Sequence, residues 1–131
     1  MNELISVNSL ASKLEQTNCR VFDCRFNLMD PEAGRKAYQE AHIPGAYYAD
    51  LNQHLSAPHV PGKTGRHPLP DKQGWIEQVQ NWGITPEINV VAYDDAGGAF
   101  AARLWWLLRW IGHEKVSVLD GGWQAWLANP D

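Results

Sequence analysis

Short apolar runs, rich in β-branched residues, alternate along this chain with stretches of helical periodicity. That alternation constrains the fold more than any other feature. Parallel neighbours need a crossover long enough to hold a helix, and the helix then covers a sheet face. The reading is therefore an α/β domain with a parallel sheet covered on both sides. Strands are predicted over residues 4–7, 20–24, 46–49, 88–93 and 116–119, with 88–93 the clearest. With 131 residues, 44% of them hydrophobic, the chain suffices for one domain, residues 1–131, with a substantial core.

Helix boundaries follow from capping chemistry. Asn8 or Ser9 is the expected cap of a helix carrying Leu10 and Leu14. Asp30-Pro31-Glu32 predicts a second start, running towards Ala41 and stopping before Ile43-Pro44-Gly45. Asp71 opens a third helix, with Trp75, Ile76, Val79 and Trp82 along one side and Gly83 and Pro86 after it. The clearest helix covers 100–111, ended by Gly112, and a short one covers 123–128. Residues 52–70 are polar, contain four prolines and show no apolar period, so they read as one long loop. Asn129-Pro130-Asp131 reads as the entry to a linker beginning at about residue 129.

Charge and targeting signals narrow the function. A formal net charge of −4 gives no electrostatic case for nucleic acid or an anionic membrane surface. No apolar run approaches the roughly 18 residues of a membrane span. The first six residues lack the basic start and apolar centre of a signal peptide. Two cysteines, Cys19 and Cys24, suit a reducing cytoplasm, where the chain is expected to reside. His54, His59 and His113 show no ligand spacing, so neither a metal nor another cofactor is expected.

Phe100, Leu104, Leu107, Leu108 and Ile111 form one apolar face of the clearest helix. Trp105, Trp106 and Trp110 fall largely outside it, which makes the helix apolar around most of its circumference. Two readings are open. Either another domain or subunit covers these tryptophans, or neighbouring loops of the same domain do.

In a parallel sheet, ligands bind beyond the carboxyl ends of the strands, beside helix N-termini. That place is Asp94-Asp95-Ala96-Gly97-Gly98-Ala99, between the best strand and the best helix. Gly97 and Gly98 allow backbone N–H groups to converge on an anion. By themselves these residues also fit a plain tight turn. No Gly-Lys-Ser/Thr follows, and the GxGxxG spacing is incomplete.

Other motifs widen the picture. Asp23-x-Arg25, His42-Ile43-Pro44-Gly45-Ala46, Gly65-Arg66-His67-Pro68-Leu69-Pro70 and Leu119-Asp120-Gly121-Gly122-x-x-Ala125-Trp126 occur in order over most of the chain. Together they resemble the rhodanese family. Pro31-x-x-Gly34-Arg35-x-x-Tyr38 and Ala102-Arg103-Leu104-Trp105-Trp106 resemble the N-terminal half of its two-domain thiosulfate and 3-mercaptopyruvate sulfurtransferases. The resemblance implies a three-layer domain with a five-stranded parallel sheet. It also implies a reaction in which a cysteine thiolate takes the outer sulfur of a donor as a persulfide and passes it to a thiol or cyanide.

At the position matching that cysteine the chain has Asp94. A carboxylate forms no persulfide, and Asp94 with Asp95 would repel an anionic donor. The expectation is an inactive domain with a vestigial loop. Cys24, though at a strand end, lacks a glycine cradle and reads as an incidental thiol, as does Cys19. In the two-domain enzymes the N-terminal half is thought to lend an Asp and a His to the site between domains, and the matching positions here are Asp50 and His67. A carboxylate orienting an imidazole is a workable relay. Equally, Asp50 reads as a turn cap and His67 as a loop anchor. The expected partner is a C-terminal catalytic rhodanese domain of the same parent chain, or another subunit, facing Arg66, Trp105, Trp106 and Trp110. The competing reading is a stand-alone inactive module that binds a protein or small anion.

Overall fold

A computed structural model describes residues 4–14, 16–27, 29–56 and 68–128. The alternation produces five strands: β1 (Leu4–Ile5), β2 (Cys19–Asp23), β3 (Tyr47–Tyr48), β4 (Asn89–Tyr93) and β5 (Val116–Leu119). They form one sheet in the order β1-β5-β4-β2-β3, and every pair is parallel. The five helices are α1 (Val7–Lys13), α2 (Ala33–Glu40), α3 (Lys72–Asn81), α4 (Ala99–Trp110) and α5 (Gly122–Ala128).

Side-chain alternation along β4 divides the core into two. Val90 and Ala92 face a cluster with Phe22, Trp75, Val79, Ala101, Leu104, Leu107 and Leu108, which places α3 and α4 on that side. Val91 and Tyr93 face Leu10, Val21, Ile43 and Leu119, against which Tyr38, Trp123 and Trp126 also pack. Helices α1, α2 and α5 therefore cover the other side, giving three layers. Beyond β2 the chain turns to the α2 side, and beyond β4 to the α4 side. The chain thus leaves the carboxyl ends of these two adjacent strands towards opposite faces of the sheet, as at a topological switch point.

Several boundaries differ from the sequence expectation, each for a local reason. Helix α1 is capped by Ser6, whose Oγ accepts the Ser9 N–H at 3.1 Å, so β1 stops at Ile5 and neither Asn8 nor Ser9 is the cap. Helix α2 starts at Ala33 rather than at Asp30. Asp30 instead makes a preceding turn, accepting the Glu32 N–H on its carboxylate at 3.2 Å and the Ala33 N–H on its carbonyl at 3.0 Å. Asp71 caps α3 as expected, accepting the Gly74 N–H at 3.1 Å. β3 has two residues instead of the expected four, and α5 begins at Gly122, one residue early.

Residues 52–56 also depart from a featureless polar loop. They form turns and bends that bury Leu55 in the core. The linker expected near residue 129 lies outside the described residues, as do Arg66 and His67.

Candidate functional site

A buried ion pair lies at the carboxyl end of β2, beside β4. Arg25 and Asp23 are almost fully enclosed, and a guanidinium nitrogen lies 2.6 Å from Asp23 Oδ2. The Arg25 backbone N–H adds a bond to Oδ1 at 2.9 Å, and Tyr93 donates its hydroxyl to Oδ2 at 2.9 Å. Arg25 donates further to the Ala41 carbonyl at 2.6 Å, and its guanidinium sits 4.3 Å from the centre of the Trp123 ring. One Asp-x-Arg pair thus joins β2, β4, the end of α2 and the start of α5. A buried pair with this many partners is strongly destabilised when one side is removed.

Gly34 completes that frame. A Cβ built on it would lie 2.0 Å from the Arg25 carbonyl and 2.6 Å from the Tyr48 hydroxyl, so glycine alone lets α2 approach.

At the end of β4 the chain turns through Gly97 and Gly98, at φ +73° and +96°, into α4. Backbone N–H groups of this turn converge on the side chain of Asp94. Its Oδ1 accepts Ala96 and Gly98, both at 2.9 Å, and its Oδ2 accepts Phe100 and Ala101, both at 2.8 Å. Asp94 is 1% exposed. The cradle at the head of α4 therefore holds a carboxylate tethered within its own loop, satisfying the orphan donors of the first turn.

Neighbours lock the loop from outside. The Asp94 carbonyl accepts the Trp123 N–H at 2.9 Å, and a Cβ on Gly122 would meet that carbonyl at 2.4 Å. Gln124 donates to the Asp95 carbonyl at 3.0 Å. Asp95, Ala96, Gly97 and Ala99 are exposed around the buried Asp94.

Cys24 lies beside this loop but is 1% exposed. Burial raises its thiol pKa well above the ordinary value, and the charges of Asp23 and Asp94 push it further up. A thiol held in its neutral form is a poor nucleophile. Cys19 is half-buried and its pKa is also raised, again chiefly by burial. Both cysteines are free.

Asp50 caps a turn. Its Oδ1 accepts the Asn52 and Gln53 N–H groups at 2.8 and 3.1 Å, while Oδ2 pairs with Arg35 at 3.1 Å. The Asp50 N–H donates to His54 Nδ1 at 2.8 Å, which fixes that imidazole as neutral with its proton on Nε2. The sequence reading missed Arg35 and His54 as its partners, although an Asp followed by a His four residues later was a usable signal.

Of the three tryptophans, Trp105 and Trp110 are partly buried against their own core, whereas Trp106 is 44% exposed and stacks on Trp110. Intradomain packing thus accounts for part of the aromatic surplus on α4. The buried Trp105 indole nitrogen has no hydrogen-bond partner among the described residues. Lys72 and Arg109 lie over Trp110 and Trp105 at 5.5 and 4.9 Å. Among the described residues no cluster of His, Cys, Asp or Glu is placed to hold a metal, and no helix is long and apolar enough to cross a membrane.

Comparison with known proteins agrees with this geometry. Residues 6–129 match the family described as "Rhodanese-like domain". The chain is 51% identical over 127 residues to the "Probable 3-mercaptopyruvate sulfurtransferase" of Pseudomonas aeruginosa, covering 96% of this chain and 45% of that protein. It is 38% identical over 128 residues to thiosulfate/3-mercaptopyruvate sulfurtransferase 2 of Arabidopsis thaliana, covering 96% of this chain and 36% of that protein. Among solved structures, the 3-mercaptopyruvate sulfurtransferase of Leishmania major superposes with a TM-score of 0.87 at 34% identity, over 97% of this chain and 34% of that one. The chain thus spans less than half the length of each of these relatives. Its sheet order, its Asp-x-Arg frame and these matches lead to one assignment: the chain belongs to the rhodanese-like domain family.

Proposed function

We propose that this chain is the non-catalytic N-terminal half of a two-domain sulfurtransferase acting on thiosulfate or 3-mercaptopyruvate, and that it is inactive by itself. The observation that carries the proposal is the occupied cradle. In this reading Asp94 stands where the persulfide-forming cysteine of an active domain stands. All four converging N–H groups are already spent on its carboxylate. An anionic donor would meet a buried negative charge instead of a positive dipole end. Cys24 supports the same reading, because a buried thiol with a raised pKa does not substitute.

The role left to the domain is to complement a second, cysteine-bearing rhodanese domain in the reducing cytoplasm. The exposed Trp106, with Trp105 and Trp110 beside it, supplies an aromatic surface for that contact. Asp50 and His67 serve the shared site, with Asp50 held rigid by its turn and by Arg35. The test joins this chain to a cysteine-bearing rhodanese domain and follows thiocyanate formation from the donor and cyanide. We expect turnover that vanishes when the partner cysteine is replaced and persists in Cys24→Ser. Turnover that survives loss of the partner cysteine and disappears in Cys24→Ser would reverse the assignment.

A further inference from the structure

Two small cavities adjoin at the edge of the sheet formed by β3. One, of about 280 Å³, is lined by Arg35, Tyr38, Gln39, Tyr48, Gln53 and His54. The other, of about 370 Å³, shares Tyr38 and Tyr48 and adds Gly45, Ala46, Tyr47 and Trp82. Together they reach the size of an ordinary small-molecule pocket, roughly 300–1,000 Å³. Their walls differ in kind: the first is largely polar, the second aromatic.

The polar wall has donors to spare and has spent its acceptors. Arg35 bonds through Nη2 to Asp50 Oδ2 at 3.1 Å and to Gln53 Oε1 at 2.8 Å, which leaves Nη1 without an acceptor among the described residues. Its buried Nε lacks one too. The Gln53 oxygen is thereby used, while its NH2 group has no acceptor among the described residues. His54 Nδ1 accepts the Asp50 N–H at 2.8 Å, so the ring proton sits on Nε2, again without a partner among the described residues. Burial lowers the His54 pKa and keeps the ring in that form at neutral pH. The Asp50 carboxylate is buried, has both oxygens occupied and forms no part of the wall. A ligand that completes this wall must bring acceptors, and a carboxylate brings two in a plane that suits a guanidinium. Since Asp50 already balances the charge of Arg35 and His54 is neutral, a monoanion fits better than a phosphate dianion.

The aromatic wall is held in place. Tyr38 donates its hydroxyl to the Ala46 carbonyl and Tyr48 donates to the Arg25 carbonyl at 2.9 Å, with the two ring centres 5.4 Å apart. Tyr47 and Trp82 both pack on the buried Phe22, at 5.4 and 4.8 Å. Tyr47 is still 40% exposed. An apolar cavity of about 150 Å³ holds one benzene ring, so the larger chamber has room for a body of that size. We infer that Arg35, Gln53 and His54 bind the carboxylate of a small organic acid whose apolar or aromatic body rests against Tyr47, Tyr48 and Trp82. This site stands on its own geometry and does not depend on the function proposed above.

The test is an NMR titration of the isotopically labelled chain with phenylacetate, with acetate and benzyl alcohol as its two halves. Phenylacetate should give saturating shifts at Arg35, Tyr47, Gln53 and His54, with a Kd about tenfold below that of either half. Arg35→Lys keeps the charge beside Asp50 and loses the fork, so it should weaken phenylacetate about tenfold; the exposed Gln53→Ala should weaken it about threefold. Tyr47→Ser should weaken phenylacetate about fivefold and leave acetate unchanged. Resonances of β4 report that each variant is folded. Absence of saturating shifts with phenylacetate, or binding that Arg35→Lys and Gln53→Ala leave unchanged, would overturn the site. Acetate binding as tightly as phenylacetate would overturn the aromatic half, and benzyl alcohol doing so would overturn the carboxylate half.

Discussion

Replacing Asp94 with asparagine changes few atoms and a large share of the loop's energy. The amide oxygen can still accept two of the four N–H groups, but the NH2 end must then face two donors. If the oxygen keeps Ala96 and Gly98, the N–H groups of Phe100 and Ala101 lose their acceptor at the head of α4. Hydrogen bonds to a charged group contribute roughly 1.5–3 kcal/mol each, and a stranded buried donor costs about 1–3 kcal/mol. The lost carboxylate desolvation offsets part of this, leaving a net loss of about 3 kcal/mol. A domain of this size unfolds with an entropy near 0.3 kcal/mol per kelvin, so the melting temperature should fall by roughly 10 °C. The assay is thermal unfolding by circular dichroism, with the exposed neighbour variant Asp95→Asn as control. Asp95→Asn should stay within about 2 °C of the parent, consistent with a surface change of at most ~0.5 kcal/mol. An Asp94→Asn protein melting as close to the parent as Asp95→Asn would refute the occupied-cradle reasoning.

Gly34→Ala should destabilise by about 3 kcal/mol or more, because its Cβ would sit 2.0 Å from a carbonyl of the Arg25 frame; chemical denaturation reads the loss. Asp23→Asn should cost about 3–5 kcal/mol in the same assay by leaving the Arg25 guanidinium buried without its counter-charge. His54 makes stability pH-dependent. Its pKa is lowered by burial, opposed by Asp50 and assisted by Arg35, and its Nδ1 must stay unprotonated to accept the Asp50 N–H. A folded-state pKa below the unfolded value means a contribution present above about pH 6.5 and lost as pH falls through the lowered value. Melting temperature should therefore drop more steeply between about pH 7 and pH 5 in the parent than in His54→Asn, and equal slopes would contradict the assignment.

Much of the fold was legible because its causes are local. The apolar run ending at Tyr93, the cap at Asp71 and the helical spacing from Phe100 to Ile111 each act within a few residues. Misplaced boundaries came from competing local chemistry. Asp30 and Ser6 both offer caps, and only the packing of α2 and the end of β1 decides which turn each one closes. At the site, residue order revealed the β4–α4 loop and the likeness of Asp-x-Arg. It did not reveal that Asp94 folds back to fill its own cradle, because a carboxylate after a strand can equally point to solvent. Nor did it reveal the bonds from Arg103 to the Leu55 and Pro68 carbonyls, which lie 48 and 35 residues away along the chain. Such bonds exist only once α4 and the turn at residues 50–56 have packed. The tryptophans show the same limit, since helical spacing gave their faces but not how far Trp105 and Trp110 would sink into the core.

The central claim is that a rhodanese scaffold whose cradle holds Asp94 transfers no sulfur alone. The purified chain should be incubated with cyanide and either thiosulfate or 3-mercaptopyruvate, and thiocyanate followed against a protein-free blank. No product above the blank is expected with either donor. Turnover above the blank, abolished by Cys24→Ser, would contradict it.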